Sequence, residues 1–487
     1  MRTNNLFAYI CFATLLCITF GFSYKATTTK PKPKKVTTEA TKQPMNVLFI
    51  AVDDLRPELS CYGQSMIKSP NIDKLASQGT LFENAYCNVP VCGASRASLL
   101  TGLRPLRDRF VDYDARIDKA APKAKTIASH FQKNGYTTLS IGKISHFPDD
   151  RKEDYSKDPW RPDYHSGASN WRNYNSEENL KIADEQPNGA GLPYDAADVP
   201  DNEYFDGMTA ERAISELKQL KSSGKPFYMG LGFLKPHLPF TAPQKYWDLY
   251  EEDKVNLPYN YFKPEDAPNA AMHSFGELRS YYGIPESGPV SDEMAKKLIH
   301  GYYACVSYTD AQIGKVLTAL DEMGLAENTV VVLWGDHGWQ LGEHALWCKH
   351  SNFKTSLKVP LMVRAPGKKA GQRASGMVEL MDLFPTLCEL TGTKTPKKLH
   401  GQSFVPLLDN PNGKGKDQIF CQWKHGATIL TDQFAYTEYS NDSGNVYGKM
   451  LYDHKKDPDE NKNVIDYSEY GDVVSDLSER LHNRPQK

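Results

Sequence analysis

The stretch that decides the fold is MNVLFIAVDD, residues 45–54. From Met45 to Val52 it is apolar except for Asn46, so inward and outward positions do not alternate. A continuous apolar run marks a strand buried on both faces, as in a parallel sheet packed between helices. It ends abruptly on two carboxylates, Asp53 and Asp54.

Three more runs follow the same plan. Residues 136–141 (YTTLSI) lead to Lys143 and His146. Residues 227–234 (FYMGLGFL) lead to Lys235, Pro236 and His237. Residues 329–334 (TVVVLW) lead to Gly335, Asp336 and His337. Ligands bind beyond the carboxyl ends of strands in open α/β sheets. The four ends together predict a single active-site rim.

Helical periodicity lies between the strands, at 70–79, 126–135, 208–220 and 293–323. Strands alternating with helices predict an α/β fold with a largely parallel sheet, over residues 45–394. From about 395 the pattern shortens. Strand candidates at 420–423, 427–430, 434–437 and 449–452, then a helix over 470–481, predict a small C-terminal α+β subdomain over 395–487. The irregular stretches 148–205 and 251–292 are long enough to be functional loops. Their aromatic and polar residues suit sugar binding and loop anchoring equally.

The amino terminus predicts location. Arg2 precedes an apolar run from Leu6 to Phe22, which reads as a signal peptide over residues 1–26. The alternative is an uncleaved anchor, since the run sits at the lower limit for spanning a bilayer. Residues 27–44 are Thr, Lys and Pro, a solvated tether. A secreted or periplasmic protein without stable membrane insertion is expected. The formal net charge of −2 and the absence of nucleic-acid-binding motifs argue against DNA or RNA as a partner. Of nine cysteines, Cys11 and Cys17 fall in the leader, and the remainder form no CxxC pair. That argues against a disulfide-rich scaffold and a zinc ribbon, and their odd number leaves at least one thiol unpaired or chemically changed.

Adjacent carboxylates at a buried strand end repel unless a cation or a shared proton intervenes. With Asp336 and His337 arriving from another strand end, Asp53 and Asp54 point to a hard divalent metal rather than to a turn or helix cap. His337 is the least natural calcium ligand of the four, but zinc would want more His or Cys. In VCGASRASLLTG, Cys92 stands at the start of a helix beside Arg96. A helix amino terminus and a fixed cation make an anion-binding nucleophile site, against the alternative of a buried structural thiol.

Cys92-Gly93-Ala94-Ser95-Arg96 with the downstream Thr101-Gly102 resembles the signature of the type I, formylglycine-dependent sulfatases. NVLFIAVDDLRPELSCYG, SPNIDKLASQG, GKISH, KPHLPF, SYTDAQIG, DHGWQLGEH and WCKHSNF extend the resemblance, and are most similar to iduronate-2-sulfatase and its bacterial relatives. It implies an alkaline-phosphatase-like fold, and oxidation of Cys92 to formylglycine by a maturation enzyme. By motif position Asp53, Asp54, Asp336 and His337 correspond to the ligands of one calcium ion, with the formylglycine from Cys92 completing the shell. Arg96 corresponds to the residue that steadies the formylglycine. Lys143 and His146 match the Lys and His of the GK-x-x-H segment, and His237 and Lys349 the sulfate-contacting pair. Ala94 stands where animal members have Pro, and Ile144 and Ser145 depart from the iduronate enzyme.

The expected reaction is removal of sulfate from a sulfated carbohydrate, a uronic acid or related sugar. His237 is the expected acid for the leaving alcohol. Trp347, His344 and His350 are candidates for the sugar pocket. Two rival readings exist: a two-metal phosphatase or phosphodiesterase of the same fold, and a non-catalytic glycan-binding protein with Cys92 unmodified.

Overall fold

Strand β1 (Asn46–Val52) is buried at every position and lies in the middle of the main sheet of a computed structural model. The structure describes Gly21 and residues 44–162 and 172–485. The expected signal peptide and tether, apart from Gly21 and Pro44, lie outside the described residues. Residues 43–487 cluster as one compact unit.

The main sheet adds β2 (Thr80–Tyr86), β3 (Thr137–Gly142), β4 (Phe227–Phe233), β5 (Thr329–Gly335), β6 (Lys358–Arg364), β7 (Gln372–Ala374) and β8 (Val378–Glu379). Their order is β7-β2-β6-β5-β1-β4-β3, with β8 also paired to β2. β1 runs parallel to β4 and β5, and β3 runs parallel to β4. β6 alone is antiparallel to its neighbours β5 and β2. The expected α/β architecture with a mostly parallel sheet is what the chain adopts.

Alternate residues of β1 enter two different cores, as a pleated strand requires. Leu48, Ile50 and Val52 pack with α1 (Pro70–Ser77), α4 (Phe205–Ser223) and the long α5 (Asp292–Glu322). Val47, Phe49 and Ala51 pack with α2 (Cys92–Thr101), α3 (Ile127–Lys133) and α6 (Leu383–Thr391). Helices on both faces explain why β1 reads as unbroken apolar sequence.

The carboxy-terminal segment forms an antiparallel sheet of β9 (Ile419–Trp423), β10 (Gly426–Leu430), β11 (Phe434–Ser440) and β12 (Val446–Asp453). One face packs on α7 (Gly471–His482) through Ile429, Tyr436 and Leu477. The other face, through Ile419, Leu430 and Tyr452, joins the core under α2 and α6. Among the described residues no helix is long and apolar enough to cross a membrane. The seven cysteines of this unit carry no disulfide.

Four strands of the main sheet do not stand out in the sequence: the short β7 and β8, and the longer β2 and β6. β2 is interrupted by the half-buried Glu83 and Asn84. β6 carries Pro360, which lacks the N–H that an inner strand needs. Its pairing with β2 shifts register between Val359 and Leu361, so the ladder skips the proline.

Phe49 tests the central packing. It is fully buried, with ring centroids 5.3 Å from Trp334 and 5.9 Å from Tyr228. Phe49→Ala is expected to lower stability by about 3–5 kcal/mol in urea unfolding. A loss below ~1 kcal/mol would show that the sheet centre is not the main core.

Candidate active site

The carboxyl ends of β1, β3, β4 and β5 deliver their charged residues to one place. Asp53, Asp54, Asp336 and His337 are each wholly buried there, and Cys92 is 2% exposed. Asp54 has φ 59°, a left-handed turn that Asp tolerates better than most residues. The turn lets the backbone N–H of Asp54 donate to Asp336 Oδ1 at 3.1 Å, tying the end of β1 to that of β5.

Arg96 is the centre of this cluster. One turn into α2, its Nε donates to Asp336 Oδ2 at 2.8 Å and its Nη2 to Asp53 Oδ1 at 2.9 Å. Nη1 donates to the carbonyls of Lys143 and Ile144, and the guanidinium lies over the Trp334 ring. Lys143 Nζ pairs with Asp53 Oδ2. Lys349 Nζ lies 3.0 Å from Asp54 Oδ1 and 3.0 Å from Glu277 Oε1. Lys143 reaches its place because β4 has glycine at 232. A side chain there would collide with the Lys143 backbone.

Charge divides the two neighbouring carboxyls. Burial opposes ionisation of Asp53, but Lys143 and Arg96 outweigh it and hold its carboxyl well below the usual range. Asp54 goes the other way. Burial raises it, and Asp53, Glu277 and Asp336 add to that against the relief from Lys349. The site therefore retains a demand for positive charge that its own side chains do not meet.

The donor set fits a divalent cation. Single ligand atoms of Asp53, Cys92, Asp336 and His337 lie within 4.8 Å of one another, as do those of Asp53, Asp54, Cys92 and His237. The sets share Asp53 and Cys92, so they describe one centre. His337 Nδ1 donates to the Gly338 carbonyl at 3.0 Å, which leaves Nε2 as the inward lone pair. Burial keeps that imidazole neutral. Asp53, Asp54 and Asp336 supply three of the six donor side chains, and such a buried acidic cluster could hold a divalent cation.

Cys92 opens α2 with Sγ 3.2 Å from His337 Nε2 and 3.9 Å from Asp54 Oδ1. Burial pushes its thiol well above the ordinary range, so the unmodified side chain is a poor nucleophile. Beside it opens a cavity of about 570 Å³ lined by Lys143, His146, His237 and Lys349. His237 Nδ1 lies 2.6 Å from the Leu238 carbonyl, and Nε2 lies 3.2 Å from Glu277 Oε1. Burial and Lys349 hold its imidazole well below the usual range. Burial and Lys143 push His146 down to about 2. The structure thus places Asp53, Asp54, Cys92, Arg96, Lys143, His146, His237, Asp336, His337 and Lys349 around one centre.

The three pocket candidates separate. His350 lines the cavity. His344 Nε2 instead donates to the Asp459 carbonyl at 2.8 Å and its ring packs against Phe353, and Trp347 packs near Tyr261. Glu277 and Arg161 also line the cavity and carry no sequence signature. Glu277 comes from a four-residue helix, Gly276–Arg279, inside an irregular stretch. Arg161 follows Trp160, which bridges Ile141 at the free edge of β3.

Removing Arg96 leaves buried carboxylates without their shared partner. Arg96→Ala is expected to cost about 3–5 kcal/mol in chemical denaturation. A cost below ~1 kcal/mol, the range of a surface pair, would contradict its central place.

Comparison with known proteins gives the family. A family model described as "Sulfatase" matches residues 45–393, and one described as "N-sulphoglucosamine sulphohydrolase, C-terminal" matches residues 342–487. Mouse iduronate 2-sulfatase is 36% identical, over 89% of this chain and 93% of its own. A sulfatase of Formosa agariphila is 31% identical, over 85% and 82%. The fold resembles that of a phosphonate monoester hydrolase from Silicibacter pomeroyi (TM-score 0.73, 22% identity, 90% and 94% covered). It also resembles that of a protein solved with its substrate D-glucosamine-2-N,6-O-disulfate (TM-score 0.69, 21% identity, 92% and 100% covered). The matched residues carry the buried Asp cluster, Arg96 and Cys92 alike, and the chain belongs to the sulfatase family.

Proposed function

We propose that this sulfatase hydrolyses a sulfate ester on a sulfated uronic acid or a related sugar, with formylglycine at position 92 and one calcium ion. The observation that carries the reading is the position of Cys92. It is the first residue of α2, lies among the metal-donor atoms and lines the cavity. The names of the relatives support the substrate class, since iduronate 2-sulfatase and a glucosamine disulfate complex are among them.

The near-complete burial of Cys92 bears on its maturation. A maturation enzyme cannot reach a side chain 2% exposed, so oxidation precedes the end of folding. Asp53, Asp54, Asp336 and His337 would hold the calcium. When bound, calcium offsets sulfate charge and the formylglycine supplies a hydroxyl nucleophile, chemistry that a thiol lacks.

The remaining roles belong to side chains. Lys143 and Lys349 flank the Asp pair and bind the sulfate oxygens, lowering the repulsion that shields sulfur from attack. Arg96 positions the carboxylates and holds the loop that carries Lys143. The S–O bond to the sugar breaks, and the sugar oxygen needs a proton. His237 Nε2 faces the cavity and delivers that proton as general acid. Burial and Lys349 hold that imidazole neutral, so its protonation relies on the charge of the bound sulfate ester and on Glu277, 3.2 Å from Nε2. In sum, ester and water give the sugar alcohol and hydrogen sulfate.

Two measurements test this reading. Peptide mass spectrometry across Cys92, on protein from a host competent in maturation, is expected to find an aldehyde. A thiol there would support the glycan-binding alternative. His237→Ala is expected to lower kcat/KM on a sulfated sugar by about 10²–10⁴-fold. The same variant should lose much less on an activated aryl sulfate, whose leaving group needs no proton. Equal losses on both substrates would remove His237 from the acid role.

A further inference from the structure

The cations around the cavity are not equivalent. Lys143 is balanced by Asp53, Lys349 by Asp54 and Glu277, and Arg96 by Asp53 and Asp336. Arg161 lines the same cavity and has no carboxylate within ion-pair distance among the described residues. Its Nη2 is anchored on the carbonyls of Ser145 and His146, at 2.5 and 3.1 Å. Its Nε has no hydrogen-bond partner among the described residues. The guanidinium is thus fixed in place by two backbone carbonyls, with charge and donors left over.

A partly buried arginine in this condition is unfavourable by itself. Burial and the neighbouring charge of Arg96 push it down to about 10, the reverse of what an ion pair does. An anionic ligand would relieve both the charge and the unused donors. The scissile sulfate already has Lys143 and Lys349, so Arg161 is free to serve a different group. The mouth beside it is shaped by Tyr113, 58% exposed, whose ring meets His146 edge-on at 6.3 Å. Gly93 allows that placement, because a side chain there would collide with the Tyr113 carbonyl.

We propose that Arg161 is a specificity-determining residue that pairs with a second anionic group, a carboxylate or a further sulfate, on the sugar bearing the sulfate ester. This rests on the sugar-sulfatase reading given above. A cavity of about 570 Å³ has room for such a sugar beside Cys92.

The test compares kcat/KM of mature enzyme on four probes. They are an O-sulfated uronic acid, the same sugar with its carboxylate reduced to an alcohol, and a glucosamine carrying one or two sulfates. The wild type is expected to prefer the acid over its reduced form, or the disulfate over the monosulfate. The preferred pair identifies the anion as carboxylate or sulfate. Arg161→Gln is expected to reduce that preference by about tenfold to a hundredfold, the worth of a charged hydrogen bond. Arg161→Lys keeps the charge without the fork and should retain part of the preference. Should Arg161→Gln not fold, the wild type and Arg161→Lys decide between them. Absence of either preference in the wild type, or a loss in the variants equal on all probes, overturns the proposal and leaves the sugar-sulfatase reading standing. A wild type that cleaves an aryl sulfate but none of the four sugars overturns both.

Discussion

The ion pairs of Arg96 with Asp53 and Asp336 are the constraint on which the site depends. Wholly buried carboxylates cannot stay ionised in a protein interior without fixed partners. Arg96 supplies one partner to two strand ends at once, and through Nη1 it also grips the loop that bears Lys143. That geometry needs α2 to begin at the edge of the parallel sheet, which puts Cys92 one helical turn from Arg96 and beside His337. The position of Cys92, the buried carboxylates and Lys143 are therefore set by one side chain.

Charge then sorts the cavity into parts with different tasks. Lys143 and Lys349 each stand on one Asp of the pair, so both can turn toward an anion once a cation takes over the carboxylates. Glu277 joins Lys349 to His237 in the lining of the cavity. Arg161 stands apart from these pairings. A sulfate ester beside a second acid would be read by two separate groups of cations.

Much of this was legible in the sequence, for a physical reason. Strands buried on both faces must be apolar throughout, so β1, β3, β4 and β5 announce themselves, and their carboxyl ends place Asp53, Lys143, His237 and Asp336. β2 and β6 were not legible, because half-buried polar residues break one and a register-skipping proline the other. Glu277 and Arg161 were missed for a different reason. They come from stretches without periodicity, where tertiary contacts alone decide direction. Neither carried a sequence signal, since the bridge from Trp160 to the edge of β3 exists only in the fold. The motif at Cys92 carried the family assignment, while His344 and Trp347 show that nearness in sequence to Lys349 is not nearness to the cavity.

The proposed chemistry needs the buried carboxylates to form one cation site rather than two, or none. The most direct measurement is metal analysis of the purified, matured protein after exhaustive dialysis against metal-free buffer. The predicted result is about one calcium per chain, as the single shared donor set requires. Two metals per chain would favour the phosphatase-like alternative. No bound metal would contradict the reading of Asp53, Asp54 and Asp336 as ligands.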